Sequence, residues 1–239
     1  MTDRWIVGSS FGWKAGTRTF LAPGPVFEHM AALRGVAGRV RLTVLGTAGG
    51  DSESWSYRVH EAFYGTRFDV TVLKVMPMPN VDDAAGLLLD SDVVWVNGGS
   101  VAGLLSLWRL HGLDDAMRSA WESGVVLGGV SAGSLCWHVG GTTDSFGPDL
   151  RPVTNGLGFL PYGCGVHYDS EEQRRPLLHS LVADGTLPTS YATDDGCGIV
   201  YRGTEVHEVV ADRSGAQAYL VERTDEGVRE TPLPARLLG

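Results

Sequence analysis

Short apolar segments that alternate with helical patterns are the feature that most constrains how the first half of this chain can fold. Each apolar segment has the length of a strand, and most have glycine in them or close after them; they lie at residues 5–8, 40–45, 68–73, 93–96 and 125–130. Continuous apolar runs of this length are typical of strands buried on both faces, as in parallel sheets. The helical patterns lie at residues 26–33, 52–63, 82–89, 101–110 and 114–122. This order predicts an α/β fold with a doubly wound, mostly parallel sheet.

The second half of the chain has a different pattern. A helix is predicted over residues 171–183, and β-like runs at residues 198–201, 206–210 and 216–221 are predicted to add antiparallel strands to the same sheet. No repeat, low-complexity tract or linker interrupts the sequence. A chain of 239 residues is long enough for one large α/β domain, so we expect residues 1–239 to form a single domain.

The charge balance argues against several classes of partner. The formal net charge is −9, with 19 Lys and Arg against 28 Asp and Glu, so no surplus of cations is present for nucleic acid or an anionic membrane surface. No apolar run approaches the roughly 18 residues that span a bilayer, and the N-terminus does not resemble a secretion signal. Three cysteines without a C-x-x-C spacing argue against a disulfide framework and a zinc site. We therefore expect a cytoplasmic protein with no cofactor and no metal, of undetermined oligomeric state.

Ser131 lies in the pattern that most directly indicates chemistry. Residues 129–133 read Gly-Val-Ser-Ala-Gly, after the predicted strand at residues 125–130 and before the start of a predicted helix. A serine on such a sharp strand-to-helix turn is the nucleophile elbow of many hydrolases. Small flanking residues let the backbone turn tightly, and the helix N-terminus supplies N–H groups for an oxyanion. The alternative is that Ser131 only caps the helix.

A second loop offers the other half of an oxyanion hole. The predicted strand at residues 93–96 is followed by Asn97-Gly98-Gly99-Ser100, ahead of a predicted helix. We predict that the N–H groups of Gly99 and Ala132 stabilise a tetrahedral oxyanion. A plain glycine turn with Ser100 as the helix N-cap is a second interpretation, and the two are compatible.

The general base is sought among seven histidines. His167 is the best candidate because it lies in an extended segment bounded by glycine, while His207 in a later β-like run stays open. The others lie in predicted helices, before a turn, or on the nucleophile's own helix, where an imidazole two turns along points away: His29, His60, His179, His111 and His138. The acid that orients the imidazole is placed in Asp194-Asp195-Gly196, with Asp195 favoured over Asp194, although either could only cap a turn.

Five short motifs together resemble a known family, the serine peptidases that contain dipeptidase E (alpha-aspartyl dipeptidase) and cyanophycinase. The motifs lie in order over most of the chain, at residues 98–100, 129–134, 143–145, 167–169 and 194–196. The resemblance implies a flavodoxin-like three-layer sandwich, related to class I glutamine amidotransferases, with serine in place of cysteine at the elbow. It also implies that Ser131, His167 and Asp195 form a triad in that chain order, with Asp144 as a secondary candidate. In the family the acid is commonly a Glu followed by Gly, so Asp195 would be a shorter substitute.

Two departures bear on the substrate. Aspartyl dipeptidases have Gly-Asn-Thr where this chain has Gly99-Ser100-Val101, and that Asn and Thr help to place a substrate aspartate. Ser100 is predicted to line the substrate site without those contacts. An acidic substrate side chain also wants a fixed cation, for which Arg174 and Arg175 are candidates, unless both lie on an exposed helix face.

The function predicted from the sequence is therefore that of a serine peptidase acting on short peptides, and a dipeptidase that prefers N-terminal aspartate is the narrower hypothesis. An α/β-hydrolase esterase shares the elbow but orders its triad serine, acid, histidine, which here requires Asp184 or Asp195 followed by His207. A non-catalytic flavodoxin-like module would instead hold a small ligand at the glycine-rich strand ends.

Overall fold

The computed structural model describes residues 3–239 and contains two mixed β-sheets, a two-stranded hairpin and seven α-helices. The strands are β1 (Trp5–Ser9), β2 (Trp13–Ala15), β3 (Leu21–Pro23), β4 (Val40–Leu45), β5 (Phe68–Leu73), β6 (Val93–Val96), β7 (Val126–Val130), β8 (His138–Thr143), β9 (Arg151–Val153), β10 (Leu160–Gly165), β11 (Ser190–Thr193), β12 (Cys197–Arg202), β13 (Glu205–Ala211), β14 (Ala218–Thr224), β15 (Gly227–Leu233) and β16 (Arg236–Leu237). The helices are α1 (Pro25–Arg34), α2 (Glu53–Phe63), α3 (Ala84–Asp90), α4 (Val101–His111), α5 (Leu113–Glu122), α6 (Ala132–Leu135) and α7 (Arg174–Ala183), with a 3-10 turn at Thr47–Gly49. Across residues 3–239, no helix combines the length and apolar character needed to cross a membrane.

The larger sheet has eight strands in the order β16-β13-β12-β1-β7-β6-β4-β5. The five neighbours from β1 to β5 in this order are parallel, which confirms the strands predicted for the first half of the chain and the α/β fold. The sheet as a whole is mixed, because β12 runs antiparallel to β1 and β13 antiparallel to β12. The prediction of a mostly parallel sheet therefore holds in part: the five strands are parallel throughout, and β13 and β16 also pair parallel, but β12 is antiparallel to both of its neighbours.

Helices cover both faces of the parallel strands. On one face, α1 and α2 bury Phe27, Met30 and Phe63 against the sheet. On the other face, α4 and α5 pack with residues of β6 and β7. In α5 the buried residues recur at the i, i+3, i+4, i+7, i+8 spacing that gives a helix one apolar side, namely Leu113, Ala116, Met117, Ala120 and Trp121.

The smaller sheet has six strands in the order β15-β14-β11-β10-β8-β9, and it corrects one prediction. Residues 216–221 were predicted to extend the first sheet, but they lead into β14, which pairs antiparallel with β11 in the second. The reason is local: the N–H of Asp194 donates to the carbonyl of Gln217 at 3.1 Å, so the chain after β13 is drawn to the end of β11. The prediction of antiparallel additions is correct for β12 and β13.

One apolar cluster joins the two sheets. It contains Leu127 of β7 and Leu104 of α4 together with Val153 of β9 and Leu160 of β10, all buried. Apolar side chains from both sheets are therefore buried in one common core, while separate clusters lie against α1 and α2 on the larger sheet and against α7 on the smaller one. This shared core supports the proposal that the chain is one structural domain.

The helix after Ser131 is shorter than predicted, which changes the position of His138. Helix α6 ends at Leu135, and His138 starts β8 instead of lying two turns along a helix. Its imidazole is buried, with Nδ1 3.0 Å from the carbonyl oxygen of Ser134 and Nε2 3.4 Å from the hydroxyl of Tyr201. Burial lowers the pKa of His138 to about 4, because the charged form loses its hydration, and the bond to Ser134 opposes this only in part.

Acidification should therefore destabilise the fold through His138. The unfolded state binds a proton at this imidazole near pH 6.5 and the folded state only near pH 4, so stability is lost as the pH falls through that window. Between pH 7 and pH 5 the loss from this group is about 2 kcal/mol. The free energy of unfolding, measured in urea, should therefore decrease between pH 7 and pH 5 in both proteins. We expect the decrease to be about 2 kcal/mol smaller in His138→Gln than in the wild type.

The exposed His60 on α2 supplies the control, since His60→Gln should keep the wild-type dependence on pH. Equal pH dependence of His138→Gln and the wild type would contradict the assignment.

Candidate active site

Ser131 sits at a strained turn between β7 and α6. Its backbone has φ 57° and ψ −115°, in a region that residues other than glycine rarely adopt. Although Ser131 occupies the N-cap position of α6, its side chain makes no capping hydrogen bond. The hydroxyl is therefore not used as a helix cap, which was the alternative role considered for this serine.

The glycines on either side of Ser131 are required by backbone packing. A Cβ atom at Gly129 or Gly133 would lie closer than 3.0 Å to the carbonyl oxygen of Val96 on the neighbouring strand β6. Real side chains do not make such contacts. The Gly-Val-Ser-Ala-Gly pattern thus records how closely the β7–α6 turn packs against the end of β6.

The loop after β6 lies directly against the serine. A Cβ built on Gly98 would be 3.1 Å from Ser131 Cβ and 3.6 Å from Ser131 Oγ. Gly99 has φ 134°, and the N–H of Ser100 fixes the loop by donating to the carbonyl of Ala48 at 2.8 Å. Ala132 is the first residue of α6, so its N–H has no acceptor within the helix.

Ser100 caps α4, as the second interpretation of this loop predicted. Its Oγ accepts a hydrogen bond from the N–H of Gly103 at 3.1 Å. The capping bond fixes the point where the glycine loop ends and α4 begins, and it is compatible with a neighbouring oxyanion hole.

His167 and Asp195 are in contact. Nδ1 of His167 lies 2.5 Å from Oδ1 of Asp195, and the imidazole is partly exposed. His167 also has a positive φ, 53°, and its N–H donates to the hydroxyl of Ser10 at 3.0 Å. The same hydroxyl lies 2.7 Å from that of Thr193 at the end of β11. An imidazole whose Nδ1 is bonded to a carboxylate presents Nε2 as a proton acceptor.

The two aspartates of the Asp194-Asp195 pair face different ways. Asp194 is buried, and its Oδ2 accepts from the N–H of Gln217 and the hydroxyl of Tyr219, each at 3.3 Å. Burial raises the pKa of Asp194, and these hydrogen bonds offset that only in part. The structure therefore brings Asp195, and not Asp194, to His167.

The end of β1 links the serine turn to the histidine turn. The N–H of Ser131 donates to the carbonyl of Ser9 at 3.0 Å, and the next residue, Ser10, holds the N–H of His167. Among residues 3–239 no hydrogen bond joins the Ser131 hydroxyl to the imidazole, but the backbones of both residues are fixed to adjacent positions of one strand end. Neither Ser9 nor Ser10 was predicted from the sequence, although both come directly after the first buried segment, and this position was the available signal.

Asp144, the secondary candidate, lies beside this arrangement. Asp144 is exposed after β8 and, with Glu171, lines an open cavity of about 620 Å³. The N–H of Glu171 donates to the carbonyl of His167 at 3.1 Å, so this cavity borders the histidine turn. Nδ1 of His167 itself bonds to Asp195 and not to Asp144.

Arg174 is buried, which excludes one of its two predicted roles. Its side chain is only 3% exposed, so it does not lie on an exposed helix face. Nε donates to Glu171 at 2.8 Å and Nη1 donates to the carbonyl of Thr142, which ties α7 to β8. The guanidinium is therefore hydrogen-bonded within the protein, and these contacts give no support to a contact with substrate.

His207, the other candidate base, is in β13, where its ring packs edge-on against Trp5 at 5.0 Å between ring centres. It makes no contact with Asp195, whose Oδ1 is bonded to His167.

Comparisons with known proteins agree on one family. Residues 25–209 match the model of peptidase family S51. The chain is 39% identical over 199 residues to the uncharacterized peptidase YgaJ of Bacillus subtilis (strain 168). The aligned residues cover 83% of this chain and 85% of that protein.

Solved structures share the fold. A protein from Listeria monocytogenes EGD-e described as peptidase E aligns over 88% of this chain and 99% of its own, with a TM-score of 0.62 and 16% identity. A peptidase from an acI-B1 actinobacterium aligns over 98% of this chain and 95% of its own, with a TM-score of 0.65 and 18% identity. At these identities the likeness establishes the fold alone.

The family match covers most of the chain, and it includes the serine turn, the histidine turn and the aspartate pair that the structure brings to one end of the larger sheet. The chain therefore belongs to peptidase family S51, the family of dipeptidase E and cyanophycinase, and is a serine-type peptidase.

Proposed function

We propose that this enzyme hydrolyses short peptides with Ser131 as nucleophile, His167 as general base and Asp195 as the acid that orients the imidazole. The observation that carries the proposal is the 2.5 Å contact between His167 and Asp195, on a turn fixed to the same strand end as the strained Ser131 turn. A histidine held through Nδ1 by a carboxylate, near a serine on a strand-to-helix turn, is the arrangement that activates a hydroxyl for acyl transfer.

The steps follow from the positions of these groups. Nε2 of His167 accepts the Ser131 proton while Oγ attacks the peptide carbonyl, and the N–H groups of Gly99 and Ala132 stabilise the oxyanion. The imidazolium then gives the proton to the leaving amine, which departs and leaves an acyl-enzyme. Water, deprotonated by His167, attacks the acyl group and restores the serine hydroxyl.

The substrate class is proposed from the family. Dipeptidase E belongs to it, and short peptides are the substrates that this membership favours. A preference for N-terminal aspartate requires a cation in the site. Both candidate cations are paired within the protein: Arg174 is buried against Thr142 and Glu171, and Arg175 pairs with Glu230 at 2.6 Å. A preference for N-terminal aspartate is therefore the narrower proposal, and a dipeptide library varied at the first residue tests it.

Two wider parts of the proposal rest on the fold. We assign the five parallel strands, with helices on both faces, to a flavodoxin-like three-layer core of the kind found in class I glutamine amidotransferases. We also place the enzyme in the cytoplasm, because its three cysteines, Cys136, Cys164 and Cys197, are all buried and unpaired.

Ser131→Ala should abolish turnover and leave the fold intact. We expect kcat on a dipeptide library to fall by about 10³-fold or more, because the nucleophile is lost, while the melting temperature stays close to that of the wild type. Ser106→Ala is the matched control, since Ser106 is an exposed serine on α4. Turnover by Ser131→Ala at the wild-type rate would end the proposal. Aryl esters in the panel separate a peptidase, which turns over peptides as well, from an esterase, which turns over the esters alone.

The two neighbouring aspartates should behave differently. Asp195→Asn removes the acceptor at Nδ1 and favours the wrong tautomer of His167, so we expect kcat to fall by roughly 10²- to 10⁴-fold. Asp194→Asn leaves that contact in place and should retain most of the turnover, because Asp194 faces Tyr219 and Gln217. Steady-state kinetics of both variants on one peptide decide the matter. A larger loss in Asp194→Asn than in Asp195→Asn would contradict the assigned acid.

A further inference from the structure

Asp195 lies where packing alone does not hold a side chain. It is in the turn between β11 and β12, and 42% of its side chain is exposed. An exposed aspartate normally samples several rotamers, at a cost in positioning if one of them is needed. The carboxylate nevertheless contacts Nδ1 of His167 at 2.5 Å, so other contacts must fix the turn.

Two charged residues hold the backbone of Asp195 from both sides. Oδ1 of Asp169 accepts the N–H of Asp195 at 2.7 Å, and Nε of Arg213 donates to the carbonyl of Asp195 at 2.6 Å. Nη2 of Arg213 in turn donates to Oδ2 of Asp169 at 2.6 Å. The three contacts form a closed ring around one residue of the turn, which we name the Asp195 clamp (Asp169 and Arg213).

The clamp is itself fixed by its surroundings. Gly196 has φ 82°, and a Cβ there would lie closer than 3.0 Å to the side chain of Arg213, so the arginine lies directly over the glycine. The N–H of Asp212 donates to the carbonyl of Gly196 at 2.9 Å and joins the end of β13 to the turn. Burial tends to raise the pKa of Asp169, but the N–H of Asp195 and the guanidinium of Arg213 lower it more, so Asp169 is ionised at neutral pH.

We infer that Asp169 and Arg213 are positioning residues that fix the main chain of Asp195 and thereby hold its carboxylate on His167. The inference rests on the proposed function, since it concerns the same triad. Asp169 also comes two residues after His167, so the clamp ties the histidine turn directly to the acid turn.

The charges of the clamp allow positioning to be separated from electrostatics. The charged groups around the histidine turn are Asp195 in contact, Asp169 and Arg213 in the clamp, Asp194 beyond the end of β11, and Glu171 four residues on. If the clamp acted only through its field, removing Asp169 would disfavour a protonated imidazole and removing Arg213 would favour it. If it acts by holding Asp195, both changes weaken the same contact and disfavour the protonated imidazole alike.

The test uses Asp169→Asn, Arg213→Gln and Arg213→Lys in the full chain. We expect each to lower kcat on the best peptide by about 10- to 100-fold with little change in KM, because the base is no longer held in place. The acid limb of the kcat/KM profile should move to lower pH in all three, by roughly 0.5 to 1 pH unit. Arg213→Lys keeps the charge but loses the planar fork, so it should resemble Arg213→Gln and not the wild type.

Arg229→Gln is the matched control, because Arg229 is an exposed arginine paired with Glu222 on the β14–β15 hairpin, away from the turn. Its kinetics and pH profile should match those of the wild type. Wild-type kinetics in Asp169→Asn and Arg213→Gln would overturn the inference, and so would a shift of the acid limb to higher pH in Arg213→Gln.

A titration of the His167 ring by NMR keeps this inference separate from the proposed function. It follows the imidazole without turnover, and its midpoint should fall in both Asp169→Asn and Arg213→Gln. If Ser131→Ala were fully active, the proposed function would fail while this titration still decided whether the clamp acts on His167. If Ser131→Ala is inactive and the midpoints are unchanged, the inference that Asp169 and Arg213 position Asp195 is wrong, while the proposed function is still supported.

Discussion

Ser131 has a positive φ because the chain turns sharply there from β7 into α6. The turn packs so closely on β6 that the carbonyl of Val96 leaves no room for a side chain at Gly129 or Gly133. This backbone strain is stable only because neighbouring strands over-determine the turn. Strand β6 supplies the contact surface and β1 accepts the Ser131 N–H through Ser9. The rest of the site depends on this turn, since the Gly98 loop packs on the serine side chain and Ser10 carries the histidine turn.

The division of labour in the site follows from this arrangement. The larger sheet supplies the proposed nucleophile and the glycine loop from parallel strand ends, where helices begin and N–H groups point outward. The smaller sheet supplies the proposed base and acid from the ends of β10 and β11. The two sheets share an apolar core, and this contact fixes the serine turn of one sheet relative to the histidine turn of the other.

Much of the larger sheet was predictable because its parallel strands are short, largely apolar runs, most of them with glycine in or close after them. The smaller sheet was not, because β8 and β10 are rich in glycine and polar residues and pair mainly through their backbones. Residues 216–221 were placed in the wrong sheet for a different reason: an apolar run shows that a strand is buried, not which neighbour it pairs with. In the site, the Ser131 turn has a local pattern, and the glycine-bounded segment around His167 and the Asp194-Asp195 pair gave candidates, whereas their combination into one triad was implied by the family resemblance. Ser10, Asp169 and Arg213 act through contacts with residues 157, 26 and 44 positions away, which no local pattern records.

Trapping of the acyl-enzyme shows whether Ser131 is the nucleophile and whether His167 activates it. A slowly hydrolysed peptide is mixed with the enzyme, the reaction is stopped with acid, and the digested protein is analysed by mass spectrometry. We expect an acyl group on the fragment that contains Ser131, formed far more slowly when His167 is replaced by glutamine. An acyl group on a different side chain, or one that forms on Ser131 equally fast without His167, would contradict it.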